Sequence, residues 1–469
     1  MLARALAVPG LLLGFSLGLL LALLVPVAAP ASAAAPTLVL TAPAGYADQP
    51  APTSLLLTGA DGAPVGGVSV AVERQVGGAW RAVATVVTDA AGRASASVVR
   101  ARVPADNVVR ATWAGDPATG QPPVVATTTL GLVAKRGVVT LTGPRSVRDE
   151  RSVRLVVRST AADGTPVSGV VRVERWARGQ GWRRHTAVRT DGRGRATLSV
   201  RPRVDTRWRV VTTPAAWVTG ARSAVLRIDN RPPGTPVRLP KGAPAPRVEV
   251  PPQPRATMKG ADPRITTIPD GVWADMVGRS WHAGCPVGRE GLRLLRINYW
   301  GYDGYRYRGE VVGAASAIGS MSRALTAMYQ RRFPIRSMYR VDRFGWSSRV
   351  NGADDHRSMA AGNTSAFNCR WVVNKPGVTS PHSWGRALDV NTWENPYRSA
   401  TGLVPNDWWQ PRTHPRVAWR SRSHPVVQLF LRAGFRWTYG SGDSQHFDAA
   451  GGHGRVRAPS PRVCGGICH

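Results

Sequence analysis

Four polar side chains in the last fifth of the chain have types and spacing that suit metal chemistry. His382 and Asp389 lie in the stretch Ser380–Asp389, and His446 follows Asp443 by three residues. Two imidazoles and one carboxylate, with a fourth coordination position left open, form a common ligand set for catalytic zinc. Asp443 would lie beside the open position and accept a proton from water. We therefore expect one Zn²⁺ ion held by His382, Asp389 and His446.

These ligands need a particular set of elements to bring them together. His382 and Asp389 are seven residues apart, so their side chains cannot share one face of a flat strand. Gly385 lies between them and permits a turn. We predict that His382 lies on a loop, Asp389 on the strand that follows, and His446 on a neighbouring strand.

The same residues carry a resemblance to a known family. The stretch Ser380–Asp389 fits the pattern S-x-H-x-x-G-x-A-x-D of the VanY-type D-alanyl-D-alanine carboxypeptidases at every fixed position. Residues 443–447 resemble the family's second motif, a carboxylate three residues before a His, and residues 363–370 and 391–397 are also similar. The family belongs to a larger group with lysostaphin-type peptidases and the hedgehog signalling domain. The resemblance covers roughly residues 265–463 and implies a compact α+β domain with a central antiparallel sheet and one zinc ion.

The resemblance also implies roles for individual residues. It makes the same three side chains the zinc ligands, and Asp443 the general base. Ser380 takes the position of a hydroxyl that contacts substrate or supports a ligand. The family uses an arginine to steady the scissile carbonyl or the substrate carboxylate, and Arg370 is the first candidate for it, with Arg340 as the second.

One departure from the family pattern affects the expected reaction. The carboxypeptidase branch usually has Glu as the base, whereas this chain has Asp443. Phage-type endopeptidases of the same family, which cut between L-Ala and D-Glu, use Asp. We expect a zinc-dependent peptidase that hydrolyses peptidoglycan stem peptides and is D-alanyl-D-alanine carboxypeptidase-like. The alternatives are an L-alanyl-D-glutamate-type endopeptidase and a non-catalytic cell-wall-binding protein; the intact carboxylate favours an enzyme.

The first residues predict export. Arg4 precedes an apolar run, Leu11–Val27, and Ala31-Ser32-Ala33 offers small residues for cleavage. This pattern is typical of a secretory signal peptide, with an uncleaved membrane anchor as the alternative. No second stretch is long and apolar enough to span a bilayer. The sequence thus predicts a protein without a stable membrane span after cleavage, secreted and extracellular or associated with the cell wall.

The net charge of +34 comes mainly from arginine and is spread over every segment. Such a charge favours nucleic-acid binding only when a recognition helix or an RNA-binding aromatic motif accompanies it, and neither is present. We expect no specific nucleic-acid partner. The anionic cell envelope is the expected partner, and a compositional bias of the source genome explains the charge equally well.

Four cysteines follow the predicted signal peptide, and an even number in an exported chain indicates disulfides. The sequence allows three pairings. We favour Cys285–Cys369 within the last domain and Cys464–Cys468 as a small terminal loop. A metal site formed by Cys464, Cys468 and His469 is the alternative.

An internal repeat occupies the first half of the chain. The segment Asp61–Val65 recurs as Asp163–Val167, and Trp80 recurs as Trp182 in the same order. Alternating Val- and Thr-rich runs separated by Asp-Gly and Pro predict short strands in both copies. We expect two immunoglobulin-like β-sandwiches, with Trp80 and Trp182 in their cores.

The fold class is therefore predicted to be multi-domain. Two all-β immunoglobulin-like sandwiches precede an α+β zinc peptidase domain with a central antiparallel sheet. A Pro-rich stretch between them predicts a semi-extended linker that holds the last domain away from the sandwiches. The predicted bounds are 1–33 for the signal peptide, 36–133 and 137–230 for the sandwiches, 231–264 for the linker, 265–463 for the peptidase domain and 464–469 for a C-terminal tail.

Local patterns in the last domain predict two helices and one strand. Apolar residues at helical spacing predict one buried helix face, formed by Ile318, Met321, Leu325 and Met328. A second helix is predicted from Ser423 to Gly434, with Pro425 in its first turn. Residues 333–339 are predicted to lead into a strand.

Overall fold

The computed structural model describes residues 35–450. The predicted signal peptide 1–33, the predicted Cys464–Cys468 pairing and the tail 464–469 lie outside these residues. The chain forms two compact units. One contains residues 35–139, 159–167 and 212–221, and the other contains residues 140–158, 168–211 and 222–450.

The first repeat is built from strands alone, apart from one 3-10 turn, Pro104–Asn107. Its strands form two sheets, in the orders β1-β2-β5 and β4-β3-β6-β7. Side chains from both sheets, such as Leu57 and Val72, fill one buried cluster between them. The strands are β1 (Thr37–Thr41), β2 (Pro50–Thr58), β3 (Ser69–Val76), β4 (Ala79–Val87), β5 (Arg93–Val99), β6 (Val108–Trp113) and β7 (Val124–Thr129).

The second repeat has the same kind of architecture. Its two sheets run in the orders β13-β10-β8 and β12-β11-β14-β15-β9. The alternation of buried and exposed residues along β10 and β11 follows the period of a half-buried strand. The strands are β8 (Gly137–Thr142), β9 (Ser146–Arg148), β10 (Val153–Ala161), β11 (Gly169–Ala177), β12 (Gly181–Thr190), β13 (Arg195–Val200), β14 (Thr206–Thr212) and β15 (Leu226–Arg231).

The prediction that Trp80 and Trp182 fill the sandwich cores was wrong. Both are only half-buried, and an arginine covers each ring, with the Arg110 guanidinium 4.3 Å from Trp80 and that of Arg209 4.2 Å from Trp182. Each pair is thus an amphipathic contact on a sheet face that is partly open to water. The buried tryptophans of the two repeats are Trp113, Trp208 and Trp217.

The Pro-rich segment 231–264 is largely exposed, but several of its side chains anchor it to the rest of the protein. The Gln253 side chain donates to the Met338 carbonyl at 2.7 Å and accepts from the Met338 amide at 2.8 Å. Val248 and Val250 pack against a buried cluster that includes Phe344. The segment is therefore tied to the region that follows it.

The last 190 or so described residues combine helices with small antiparallel sheets, in a chain that is otherwise mostly β-sheet. They contain two three-stranded sheets, in the orders β16-β17-β18 and β23-β27-β26, and three two-stranded ones. Four α-helices are α1 (Asp270–Met276), α2 (Ile318–Gln330), α3 (Asp355–Ala360) and α4 (Pro425–Arg432). The strands are β16 (Arg264–Thr266), β17 (Leu292–Trp300), β18 (Arg306–Ala314), β19 (Trp346–Ser347), β20 (Gly352–Ala353), β21 (Trp371–Val372), β22 (Lys375–Thr379), β23 (Ala387–Asp389), β24 (Tyr397–Ser399), β25 (Gly402–Val404), β26 (Phe435–Arg436) and β27 (His446–Ala449).

Both predicted helices are confirmed. All four apolar residues predicted on α2 are buried, and Pro425 begins α4. The strand predicted to follow residue 333 was wrong, because this segment makes only an isolated bridge between Ser337 and Asn363. The Asn363 side chain accepts from the Tyr339 amide at 2.8 Å and donates to its carbonyl at 2.9 Å. A side chain thus takes the place of a neighbouring strand.

One hydrophobic cluster holds α2, α4 and the strands around them. Met321 from α2, Phe430 from α4 and Phe447 from β27 belong to it, and the rings of Phe430 and Phe447 stack with centroids 4.1 Å apart. This packing fixes the strand that carries His446. None of the helices described within residues 35–450 combines the length and apolar character needed to cross a membrane.

Candidate metal centre

The centre is built on the antiparallel pair β23–β27. In the register of this pair, Asp389 lies directly opposite His446 and Leu388 lies opposite Phe447. Because side chains alternate across a strand, Leu388 and Phe447 enter the hydrophobic cluster, and Asp389 and His446 project from the other face. The predicted placement of these two ligands on adjacent strands agrees with this pairing.

His382 reaches the same face from a short turn, Pro381–Trp384. Ser380 caps this turn, since its hydroxyl accepts from the His382 amide at 3.3 Å. Gly385 ends the turn with φ of 65°, and a Cβ there would lie 2.7 Å from the Ala314 amide nitrogen. Only glycine suits this position, because the backbone is left-handed and a neighbouring strand lies against it.

These three side chains form a buried triangle, in which Asp389 contributes both carboxylate oxygens. His382 Nε2 lies 3.2 Å from His446 Nδ1 and 3.2 Å from Asp389 Oδ2, and His446 Nδ1 lies 3.2 Å from Asp389 Oδ1. Donors about 2.0–2.1 Å from a tetrahedral zinc ion are about 3.3–3.4 Å apart. The set therefore fits zinc in size and in donor chemistry.

The outer atoms of the two imidazoles fix which nitrogens face inward. His382 Nδ1 lies 2.6 Å from the Ala366 carbonyl oxygen, which only an N–H can satisfy, so Nε2 is the nitrogen that faces the other ligands. His446 Nε2 lies 3.0 Å from Asp448 Oδ1, so Nδ1 is the nitrogen that faces the other ligands. A carboxylate or carbonyl behind a ligating histidine is the usual support of a metal site.

The electrostatics of the centre favour an ionised Asp389. Burial alone would raise the pKa of this carboxyl, but the His382 and His446 rings lower it well below its ordinary value. Burial likewise opposes ionisation of Asp448, whose pKa the His446 ring lowers to about 2. Both carboxylates are therefore charged at neutral pH, as a cation site requires.

Asp443 lies beside this triangle. Its Oδ2 is 4.0 Å from His446 Nδ1, and its side chain is 2 % exposed. A backbone bridge between Asp443 and Tyr397 holds the turn that precedes β27. The carboxylate is thus close to the metal ligands without being part of the triangle.

The two candidate arginines differ in their surroundings. The Arg370 guanidinium is buried, 2.9 Å from Asp355 Oδ2 and 2.9 Å from the Trp371 carbonyl. The Arg370 amide donates to the Ser383 hydroxyl at 3.1 Å, and the Arg370 carbonyl accepts from the Ser380 amide at 2.9 Å. The backbone of Arg370 therefore lies against the turn that carries His382.

Arg340 is held elsewhere. It is buried among three carboxylates, with nitrogens 2.7 Å from Asp275, 3.0 Å from Asp342 and 3.5 Å from Glu310. No contact between Arg340 and the metal ligands is found among residues 35–450. Its surroundings are those of a structural ion-pair network.

Sequence reasoning missed two residues that support the centre. Asp448 lies two residues after His446 on β27, and this i,i+2 spacing on a strand was the available signal. Arg420 is half-buried and donates to the Ser444 hydroxyl at 3.2 Å and to the Glu394 carbonyl at 2.9 Å. Burial without a carboxylate partner lowers the pKa of Arg420 to about 10, and no sequence pattern marked this residue.

A second group of possible metal donors has another explanation. His282 lies close to Cys285 and Cys369, but the two sulfurs form a disulfide with their Cα atoms 5.9 Å apart. Disulfide sulfurs are not thiolate ligands. The predicted Cys285–Cys369 pairing is confirmed, and the structure leaves one metal-binding group in the described part of the chain.

Comparison with known proteins gives one informative match. A family model described as D-alanyl-D-alanine carboxypeptidase matches residues 374–449, which include the metal triangle and Asp443. The match supports a peptidase domain in the C-terminal part of the chain. The search of curated proteins gave no match.

Solved structures resemble the chain only weakly. They include a marsupial T cell receptor, with 9% identity, a TM-score of 0.21 and coverage of 58% of this chain and 99% of that one. Two bacterial α-2-macroglobulins show 12% identity and TM-scores of 0.19. The match to the Salmonella mutant covers 56% of this chain and 18% of the mutant's chain. The match to the E. coli protein covers 60% of this chain and 20% of that protein's chain.

Proposed function

We propose that this chain is a secreted, zinc-dependent peptidase that hydrolyses the stem peptides of peptidoglycan, in the manner of a D-alanyl-D-alanine carboxypeptidase. The observation that carries the proposal is the buried triangle of His382, Asp389 and His446, which lies inside the region that matches that family. The family match alone gives a peptidase. The triangle adds a donor set that suits zinc.

Each side chain of the centre has a definite task in this proposal. His382, Asp389 and His446 would hold the ion, and zinc bound there supplies Lewis-acid activation of water and of the scissile carbonyl. Asp443 accepts the proton of the attacking water and returns it to the leaving amine. Its burial supports this role, because a carboxylate shielded from bulk solvent exchanges its proton with the reactants.

Arg370 is the proposed partner of the negative charge that develops on the substrate. A buried guanidinium acts strongly on such a charge, because few water molecules screen it. Asp355 holds this guanidinium through an ion pair at 2.9 Å. Ser380 supports the turn of His382 through its cap, and Arg340 is not part of the proposed site.

The two candidate reactions differ in the scissile bond. Asp443 is one methylene shorter than the Glu of the carboxypeptidase branch, so an L-alanyl-D-glutamate-type endopeptidase is the second candidate. In either case the substrate is a peptidoglycan stem peptide. The signal peptide 1–33, the two immunoglobulin-like repeats and the extracellular or cell-wall location remain parts of the proposal.

The test is digestion of purified peptidoglycan by the chain from residue 34 onward, with products identified by mass spectrometry. Free D-Ala that disappears with a chelator and returns with zinc is the expected result. Stem peptides that begin at D-Glu would establish the endopeptidase instead. Absence of any product from a chain that binds one zinc would overturn the enzyme and leave a wall-binding protein.

A further inference from the structure

A basic cleft lies within the second unit, where the second repeat meets the C-terminal region. It has a volume of about 460 Å³, and Trp300 forms part of its wall. Two carboxylates line it, Asp149 and Glu150. Six cationic residues line it as well: Arg148, Arg151, Arg201, Lys259, Arg306 and Arg332.

The walls of this cleft are held by buried ion pairs. Arg306 from the C-terminal region is 5 % exposed and lies 2.7 Å from Glu150 of the second repeat. Asp149 is fully buried and lies 2.9 Å from Arg203. Both acidic side chains are thus neutralised within the protein, and the positive charge of the remaining cations stays uncompensated in the cleft.

Two residues that line the cleft have an unusual backbone conformation. Glu150 has φ of 71° and Arg332 has φ of 56°, a left-handed conformation that few residues other than glycine adopt. Such residues persist where the surrounding structure holds them, often at ligand-binding sites. Arg332 also lies over the Trp300 ring, 5.6 Å from its centroid, which directs it toward this wall.

Three of the arginines that line the cleft come from the second repeat and are available to a ligand. Arg148, Arg151 and Arg201 are exposed, and none of them has an ion-pair partner in the described part of the chain. Guanidinium groups donate in a planar fork that matches the oxygens of a phosphate. A phosphodiester polymer carries one phosphate on each of its monomers. Its phosphates would meet these arginines, and the carbon atoms between them would lie against Trp300.

We infer that this cleft binds a linear phosphodiester polymer, the kind of anionic polymer that a cell wall carries. The cleft is larger than a single phosphate requires and has cations on both sides. The inference does not depend on the peptidase reaction, but the choice of polymer rests on the proposed cell-wall location. It replaces a general attraction to the envelope with one defined site.

The experiment measures binding of the chain from residue 34 onward to poly(glycerol phosphate) by isothermal titration at several salt concentrations. The test variant replaces Arg148, Arg151 and Arg201 with Gln. The matched control replaces Arg158, Arg189 and Arg193 with Gln, since these are exposed arginines of the same repeat that lie outside the cleft. Thermal unfolding checks that both variants remain folded, and polyglutamate serves as a carboxylate polymer of similar charge.

The cleft variant is expected to bind at least tenfold more weakly than the control variant. The plot of log K against log salt concentration should be shallower for the cleft variant than for the wild type, by about 2 in slope, if each lost arginine contacts one phosphate. Equal losses in the two variants would attribute binding to overall charge and overturn the site. Equal affinity for polyglutamate would overturn the assignment of phosphate.

Discussion

Asp448 offers the sharpest test of how the centre is organised. Replacing it with Asn removes the charge that faces His446 Nε2 at 3.0 Å. A hydrogen bond to a charged group contributes about 1.5–3 kcal/mol, and loss of such a partner costs about 10–100-fold in metal affinity. We therefore expect Asp448→Asn to weaken zinc binding by about 10–100-fold. Competition between the protein and a fluorescent zinc indicator measures this directly.

Two controls separate this effect from a general loss of charge or packing. Asp407→Asn removes an exposed carboxylate far along the chain from β27 and should leave zinc affinity unchanged. Thr438→Val removes the hydroxyl that donates to Asp448 Oδ2 at 2.5 Å and should have a smaller effect than Asp448→Asn. Wild-type zinc affinity in Asp448→Asn would refute the role of this carboxylate in orienting His446.

Three further predictions concern stability, each measured by chemical denaturation. Replacing Cys285 and Cys369 with Ser should cost about 4 kcal/mol, since the disulfide spans 84 residues; a cost below about 1 kcal/mol would contradict this. Gly385→Ala should cost about 1–3 kcal/mol, because φ is 65° there, and an unchanged midpoint would contradict the turn geometry. The His424 Nδ1 accepts from the Val426 amide at 3.2 Å and so caps α4, and burial lowers the pKa of this ring. The free energy of unfolding should therefore be full above about pH 6.5 and decline below it. His424→Asn keeps the cap acceptor without titrating and should flatten this decline; an unchanged pH profile would count against it.

The candidate site was largely predictable from the sequence, because its residues lie in two short stretches with fixed offsets. The alternation of a strand and one permissive glycine were enough to bring His382, Asp389 and His446 together. The support behind these residues was less predictable. The Ala366 carbonyl comes from a loop 16 residues before His382, and Arg420 is held by carbonyl oxygens that no pattern reveals.

The fold was predictable where periodicity is strong and not where side chains replace backbone partners. The helical spacing around Met321 and the proline that begins α4 gave correct elements. The segment that ends at Tyr339 has strand-like composition, but Asn363 satisfies its backbone. Trp80 and Trp182 were misplaced because a tryptophan under an arginine is stable on a partly exposed face.

The central claim is that His382, Asp389 and His446 hold a zinc ion on which peptide hydrolysis depends. The most direct measurement determines zinc content and stem-peptide hydrolysis on the same samples of the wild type, Asp389→Asn and Asp443→Asn. We predict one zinc per wild-type chain, loss of both zinc and hydrolysis in Asp389→Asn, and retained zinc with hydrolysis about 10²–10⁴-fold slower in Asp443→Asn. Hydrolysis at the wild-type rate by metal-free Asp389→Asn would contradict the claim.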